Sequence, residues 1–131
     1  MKTLEQFHDG FLNGLLIQNT TVYVFISTDK SKKFVLEGRD VLSLKADGFR
    51  QGNIIYDVLV RDGEEVTLED IQNFYEFKDE ANALKKLEDV RRKTVVVLEI
   101  NPSYGASCVI LAGSVDLITY QEWSERRSIV E

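Results

Sequence analysis

The sequence predicts a mainly β protein of the α+β class: an antiparallel β-sandwich or one strongly curved sheet of about eight strands, with one principal helix near residues 79–92. Three observations predict this. Short apolar runs alternate with the period of two that a half-buried strand requires, most clearly over residues 41–60. The breaks between runs are too short for the crossovers that parallel strands need. Residues 79–92 carry the best apolar stripe at helical spacing.

Residues 1–6 read as a lead-in. Residues 11–17 give a first strand with Phe11, Leu15 and Ile17 on one face, and Asn19-Thr20 turns the chain. Residues 21–28 give a second strand whose inner set is Val22, Val24 and Ile26, backed by Tyr23 and Phe25. Asp29-Lys30-Ser31-Lys32 makes a hairpin tip, because Asp and Ser bond back to local backbone. Residues 33–37 form a third strand ending at Gly38. In the next pair, Leu42, Leu44 and Ala46 oppose Ser43 and Lys45, while Ile54, Tyr56, Val58 and Val60 oppose Ile55, Asp57 and Leu59. Asp47-Gly48 and Gln51-Gly52-Asn53 both offer a reversal, so the link is a tight turn or a longer loop with a bulge. This first block reads as a meander of about five strands closed by Asp62-Gly63.

Thr67, with Asp70 three residues on, caps a short helix through Leu68, Ile71 and Phe74. In the principal helix Ala83, Leu84, Leu87 and Val90 share a stripe. Asp79 and Glu80 at its start and Arg91, Arg92 and Lys93 at its end match the helix dipole. Glu88–Arg92 and Asp89–Lys93 are favourable i,i+4 pairs. Residues 94–100 are apolar on both faces, as for a strand covered by the opposite sheet on one side and by the helix before it on the other. Residues 101–105 carry the only proline and read as a turn; strands follow at 107–112 and 115–119. The domain spans residues 1–120, and residues 121–131 are a C-terminal tail, apolar only at Trp123, Ile129 and Val130, that docks by Trp123 or frays. Strand order stays open between a meander and a Greek key.

The 131 residues suffice for one self-supporting core. A net charge of −6 argues against nucleic acid as a partner and favours a basic protein. No apolar run is long enough to span a bilayer, so no membrane partner is expected. The N-terminal residues lack the pattern of a signal peptide and Cys108 is a lone thiol, so the expected compartment is the cytoplasm. Homodimerisation stays open.

Chemistry is sparse. His8 and Asp9 could pair as a general base, with Asn53 and Asp57 as further members of a polar site. Neighbours in an extended chain point apart, however, and turn or cap roles suit these residues as well. One His and one Cys do not make a zinc set, and no calcium loop is present, so no metal is expected. Cys108 lies in an apolar alternation and reads as a small buried hydrophobe. Gly10-x3-Gly14 and Gly48-x3-Gly52 lack the spacing of phosphate loops, and no cofactor is expected. The most unusual surface feature is the acidic run Asp62, Glu64, Glu65, Glu69, Asp70, Glu76, Asp79 and Glu80. Interleaved with Phe74, Tyr75 and Phe77, it has the mixture of a docking surface for a basic protein: charge to steer, aromatics to anchor. The plainer reading is a solvated face with the aromatics in the core.

Phe7-His8-Asp9-Gly10, the stretch 38–44 and Gly52-Asn53-Ile54-Ile55-Tyr56-Asp57 carry a resemblance. The chain resembles small bacterial β-rich proteins of unknown function that open with a Phe-His-Asp motif, some of them similar to immunity proteins of polymorphic toxin systems. The resemblance implies a compact cytoplasmic protein that acts by binding, with no chemistry and no catalytic residue to carry over. The leading expectation is therefore a non-enzymatic, immunity-like binding protein docking a basic partner through Glu64, Glu65, Glu69, Asp70, Phe74, Tyr75 and Glu76. A small enzyme using His8 and nearby carboxylates, and a β-sandwich binding a ligand such as a sugar through exposed Tyr and Trp, are the alternatives.

Overall fold

Each apolar run read as a strand pairs with a neighbour. The computed structural model describes residues 1–130, with side chains described through Arg127. The strands are β1 (Lys2–Thr3), β2 (Phe11–Gln18), β3 (Thr21–Ser27), β4 (Lys33–Arg39), β5 (Ser43–Asp47), β6 (Asn53–Asp62), β7 (Val96–Tyr104), β8 (Ser107–Ala112) and β9 (Ser114–Thr119). All pairings are antiparallel, in the order β5-β8-β7-β6-β2-β3-β4-β9, with β1 beside β6. The helices are α1 (Leu68–Tyr75), α2 (Glu80–Arg92) and α3 (Tyr120–Val130). Among the described residues no helix is long and apolar enough to cross a membrane.

The α+β class and the antiparallel sheet stand. The sandwich and the strongly curved sheet are corrected to one connected nine-strand sheet, neither closed nor strongly curled. The reason lies in chain continuity: β4 runs on into β5 past Asp40, which takes a left-handed conformation (φ 53°), and β8 runs on into β9 past Gly113. Because β4 pairs with β9 and β5 with β8, what could have been two sheets share one kinked ribbon. The five-strand meander shrinks to β2-β3-β4. Periodicity decides which way a residue faces, whereas long-range pairing decides its neighbours.

Two bulges change the faces read from alternation. In β6 the ladder passes over Tyr56: Ile55 faces Pro102 and Asp57 faces Asn101. Asn53, Ile55 and Val58 are therefore buried, and Tyr56 is 56% exposed instead of sharing a face with Val58. In β2 the register slips between Leu12 and Gly14, so Leu12 is buried and Ile17 is exposed. Residues 101–104, read as a turn, belong to β7; Pro102 sits at the β6 irregularity, where a missing amide proton is tolerated.

One core joins Val22, Val24, Ile26, Leu36, Val58, Leu98 and Ile110. The other lies between helices and sheet, where Ile71, Leu87 and Val90 meet Val95, Val97 and Leu111. Strand β7 thus buries Leu98 and Ile100 on one side and Val97 on the other, as its unbroken apolar run predicts. Thr67 and Asp70 form a full capping box on α1, Asp79 caps α2, and Asp89 pairs with Lys93 at 3.3 Å. Leu84 is exposed, off the stripe assigned to it. The C-terminal segment is a helix: Thr119 accepts from the Glu122 amide and the Glu122 carboxylate accepts from the Thr119 amide. Trp123 docks it edge-on against Phe25 and Tyr23, at ring distances of 4.9 and 6.0 Å. The side chains of Ile129 and Val130, and Glu131, lie outside the described residues.

Candidate functional site

Several members of the acidic run have local partners. Asp70 accepts from Arg61 at 2.9 Å while capping α1, and Arg61 also pairs with Glu99. Burial would raise the Asp70 carboxyl, but hydrogen bonds from Arg61 and Thr67 outweigh it and hold the group below its ordinary value. Glu65 pairs with the N-terminal ammonium at 2.9 Å, which lowers its pKa. Glu76 ends α1 in a left-handed conformation and pairs with Lys45 at 3.1 Å. Phe74, Tyr75 and Phe77 pack on the helix-side core, with Tyr75 stacked on Phe77. Glu64 and Glu69 stay exposed.

The Phe-His-Asp-Gly stretch is a built turn. Phe7 is fully buried, and a Cβ at Gly10 would drive into the Ser27 carbonyl oxygen, so only glycine fits. Asp9 takes φ 62°, and its amide donates to the Ile55 carbonyl at 3.0 Å. This turn presents His8 to solvent, where Nδ1 donates to the Tyr56 carbonyl at 2.7 Å and Nε2 lies 3.6 Å from Asp9. That hydrogen bond, and then the Asp9 charge, raise the imidazole pKa. His8, Glu5 and Asp57 line a groove of about 360 Å³. Asn53 is elsewhere and structural: its Oδ1 accepts from the amides of Arg50 and Ala106, and its Nδ2 donates to the Leu12 carbonyl. Asp57 accepts from Asn101 at 2.8 Å. Burial pushes the Cys108 thiol up to about 12, far from nucleophilic. Among the described residues no group of three or more His, Cys, Asp or Glu side chains could hold a metal ion.

A larger cleft, about 560 Å³, opens where β2, β3 and β4 meet α3. Phe11, Phe25, Phe34, Tyr120 and Trp123 supply aromatic walls, and Asn13, Ser27, Ser31 and Lys33 the polar contribution. The β2 irregularity falls at Asn13, whose Nδ2 donates to the Ser27 hydroxyl at 3.3 Å. Ser31, at the hairpin tip, is left-handed (φ 66°). Lys33 lies over the Tyr120 ring at 5.6 Å, Lys32 over Phe34 at 5.3 Å and Arg127 over Trp123 at 5.0 Å. The indole N–H of Trp123 is buried with no partner among the described residues. Sequence reasoning singled out Trp123 but not the cleft, because residues 121–131 read as a tail. The signal was present: Thr119-x-x-Glu122 is a capping box, and Tyr120 and Trp123 stand three apart on one helix face.

In comparisons with known proteins, no family model, no curated protein and no solved structure matches this chain.

Proposed function

We propose that this chain is a non-enzymatic binding protein whose ligand site is the aromatic cleft between β2-β3-β4 and α3. The observation that carries the reading is the grouping of five aromatic side chains and a few polar groups around about 560 Å³, the lining and size typical of small-molecule sites. The reading is supported from the other side by chemistry: His8 is solvent-exposed, and Cys108 is buried with its thiol strongly protonated. Four members of the acidic run, Glu65, Asp70, Glu76 and Asp79, serve capping or ion pairing, which leaves Asp62, Glu64, Glu69 and Glu80 as the remaining basis for docking a basic partner.

Trp123 is the only tryptophan, so its fluorescence reports on the cleft alone. Titration with a panel of monosaccharides and small aromatic compounds is expected to give a saturable change for at least one class. That change should be lost in Tyr120→Ala with the far-UV circular dichroism retained. A flat response across the panel would overturn the reading.

A further inference from the structure

The cleft has a sign opposite to that of the protein. The chain carries a net charge of −6, yet no Asp or Glu lines the cleft. Three cations instead stand on its aromatic walls: Lys32, Lys33 and Arg127. None of the three has a carboxylate within ion-pair distance among the described residues. Lys45, Lys86 and Lys93, elsewhere on the surface, each have one. Lys33 is the one of the three that lines the cleft itself, with the Ser27 and Ser31 hydroxyls among the other lining groups. Ser27 is 6% exposed and its oxygen already accepts from Asn13, so its hydroxyl proton is the part left to donate.

From this we infer that the ligand is a flat aromatic or otherwise apolar molecule bearing one anionic group, such as an aromatic carboxylate. Its ring packs among Phe25, Phe34, Tyr120 and Trp123, and its anion is held by the Lys33 ammonium with a hydroxyl from Ser27 or Ser31. Charge-assisted hydrogen bonds beside aromatic walls give orientation as well as affinity. The inference rests on the cleft being the ligand site and adds the chemical class.

The test uses the 15N-labelled full chain and the single indole N–H cross-peak of Trp123. It is titrated with 2-naphthoate and with 2-naphthalenemethanol, which share a ring system and differ in charge. At low salt the carboxylate is expected to bind about fivefold more tightly than the alcohol, the scale of one partly exposed ion pair. That preference should vanish in Lys33→Gln and in high salt and return in Lys33→Arg, with the carboxylate's affinity moving more than the alcohol's in each case. Equal binding of the two probes, or a preference indifferent to Lys33→Gln, overturns the anionic class while the cleft stays the ligand site. If neither probe moves the Trp123 resonance, the aromatic-anion class is overturned, and the cleft itself fails as the site only if the wider panel is flat as well.

Discussion

The Oδ1 of Asn53 accepts a hydrogen bond from the Ala106 amide, 3.0 Å away, tying the first residue of β6 to the residue just before β8. The same oxygen takes the Arg50 amide at 2.8 Å, and the whole side chain is buried. Asn53→Ala leaves two amides without an acceptor, so we expect a loss of about 2–3 kcal/mol in urea unfolding. Asn53→Asp, which keeps an acceptor but cannot donate to Leu12, should lose less than the alanine variant if the buried amides dominate.

Gly10 has its space taken by the Ser27 carbonyl, which is backbone and cannot rotate away. Gly10→Ala is expected to destabilise by about 3 kcal/mol through overpacking. Gly14→Ala, where a Cβ meets nothing, should change the urea midpoint little by comparison.

Asp70 makes stability depend on acid. Its folded carboxyl is held below the unfolded value, so the stabilisation is complete above about pH 4 and is lost as pH falls through the folded-state value. Asp70→Asn should flatten the acid limb of the stability profile below pH 4 and lower stability at neutral pH by about 1–2 kcal/mol. A profile unchanged by the substitution would contradict the assignment.

His8 titrates in the opposite sense. The hydrogen bond to the Tyr56 carbonyl and then the Asp9 charge raise its pKa above 6.5, so any stabilisation is present below that value and fades as pH rises through the folded one. As the only histidine it gives one set of imidazole resonances, whose midpoint should lie above 6.5 and move down in Asp9→Asn.

Cys108 is fully buried and its thiol is pushed up to about 12. Ellman's reagent should therefore label the folded protein only as fast as it opens, and labelling should accelerate with urea in step with unfolding. Rapid labelling of the native state would show the strand pair β5-β8 to be open.

Local rules located most elements because local physics decides them. Val22, Val24 and Ile26 alternate inward as read, Thr67 caps the helix assigned to it, Asp79 stands at the start of the next, as its cap, and the doubly apolar run of β7 is covered on both sides. What alternation could not convey was register. The extra residues at Asn13 and Tyr56 each turn the faces beyond them, and nothing in composition marks a bulge of that kind. The cleft was half legible for the same reason. Trp123 stood out as an aromatic in a polar segment, but its neighbours Phe11, Phe25 and Phe34 come from three strands that only pairing brings together. The acidic run was legible as a row of carboxylates, but not the cap, ion pair and helix end that some of its members form in space.

The kinked ribbon has a temporal consequence. Phe34 opposes Thr119 and Asp47 opposes Ser107, so the outer edge of β4 and all of β5 find a hydrogen-bonding partner only in the last quarter of the chain. During synthesis the β2-β3-β4 hairpins can form as they emerge, but the outer edge of β4 and the whole of β5 must wait on the ribosome with unmatched amides and carbonyls. A nascent chain stalled before residue 107 should thus be the species that chaperones hold and proteases cut.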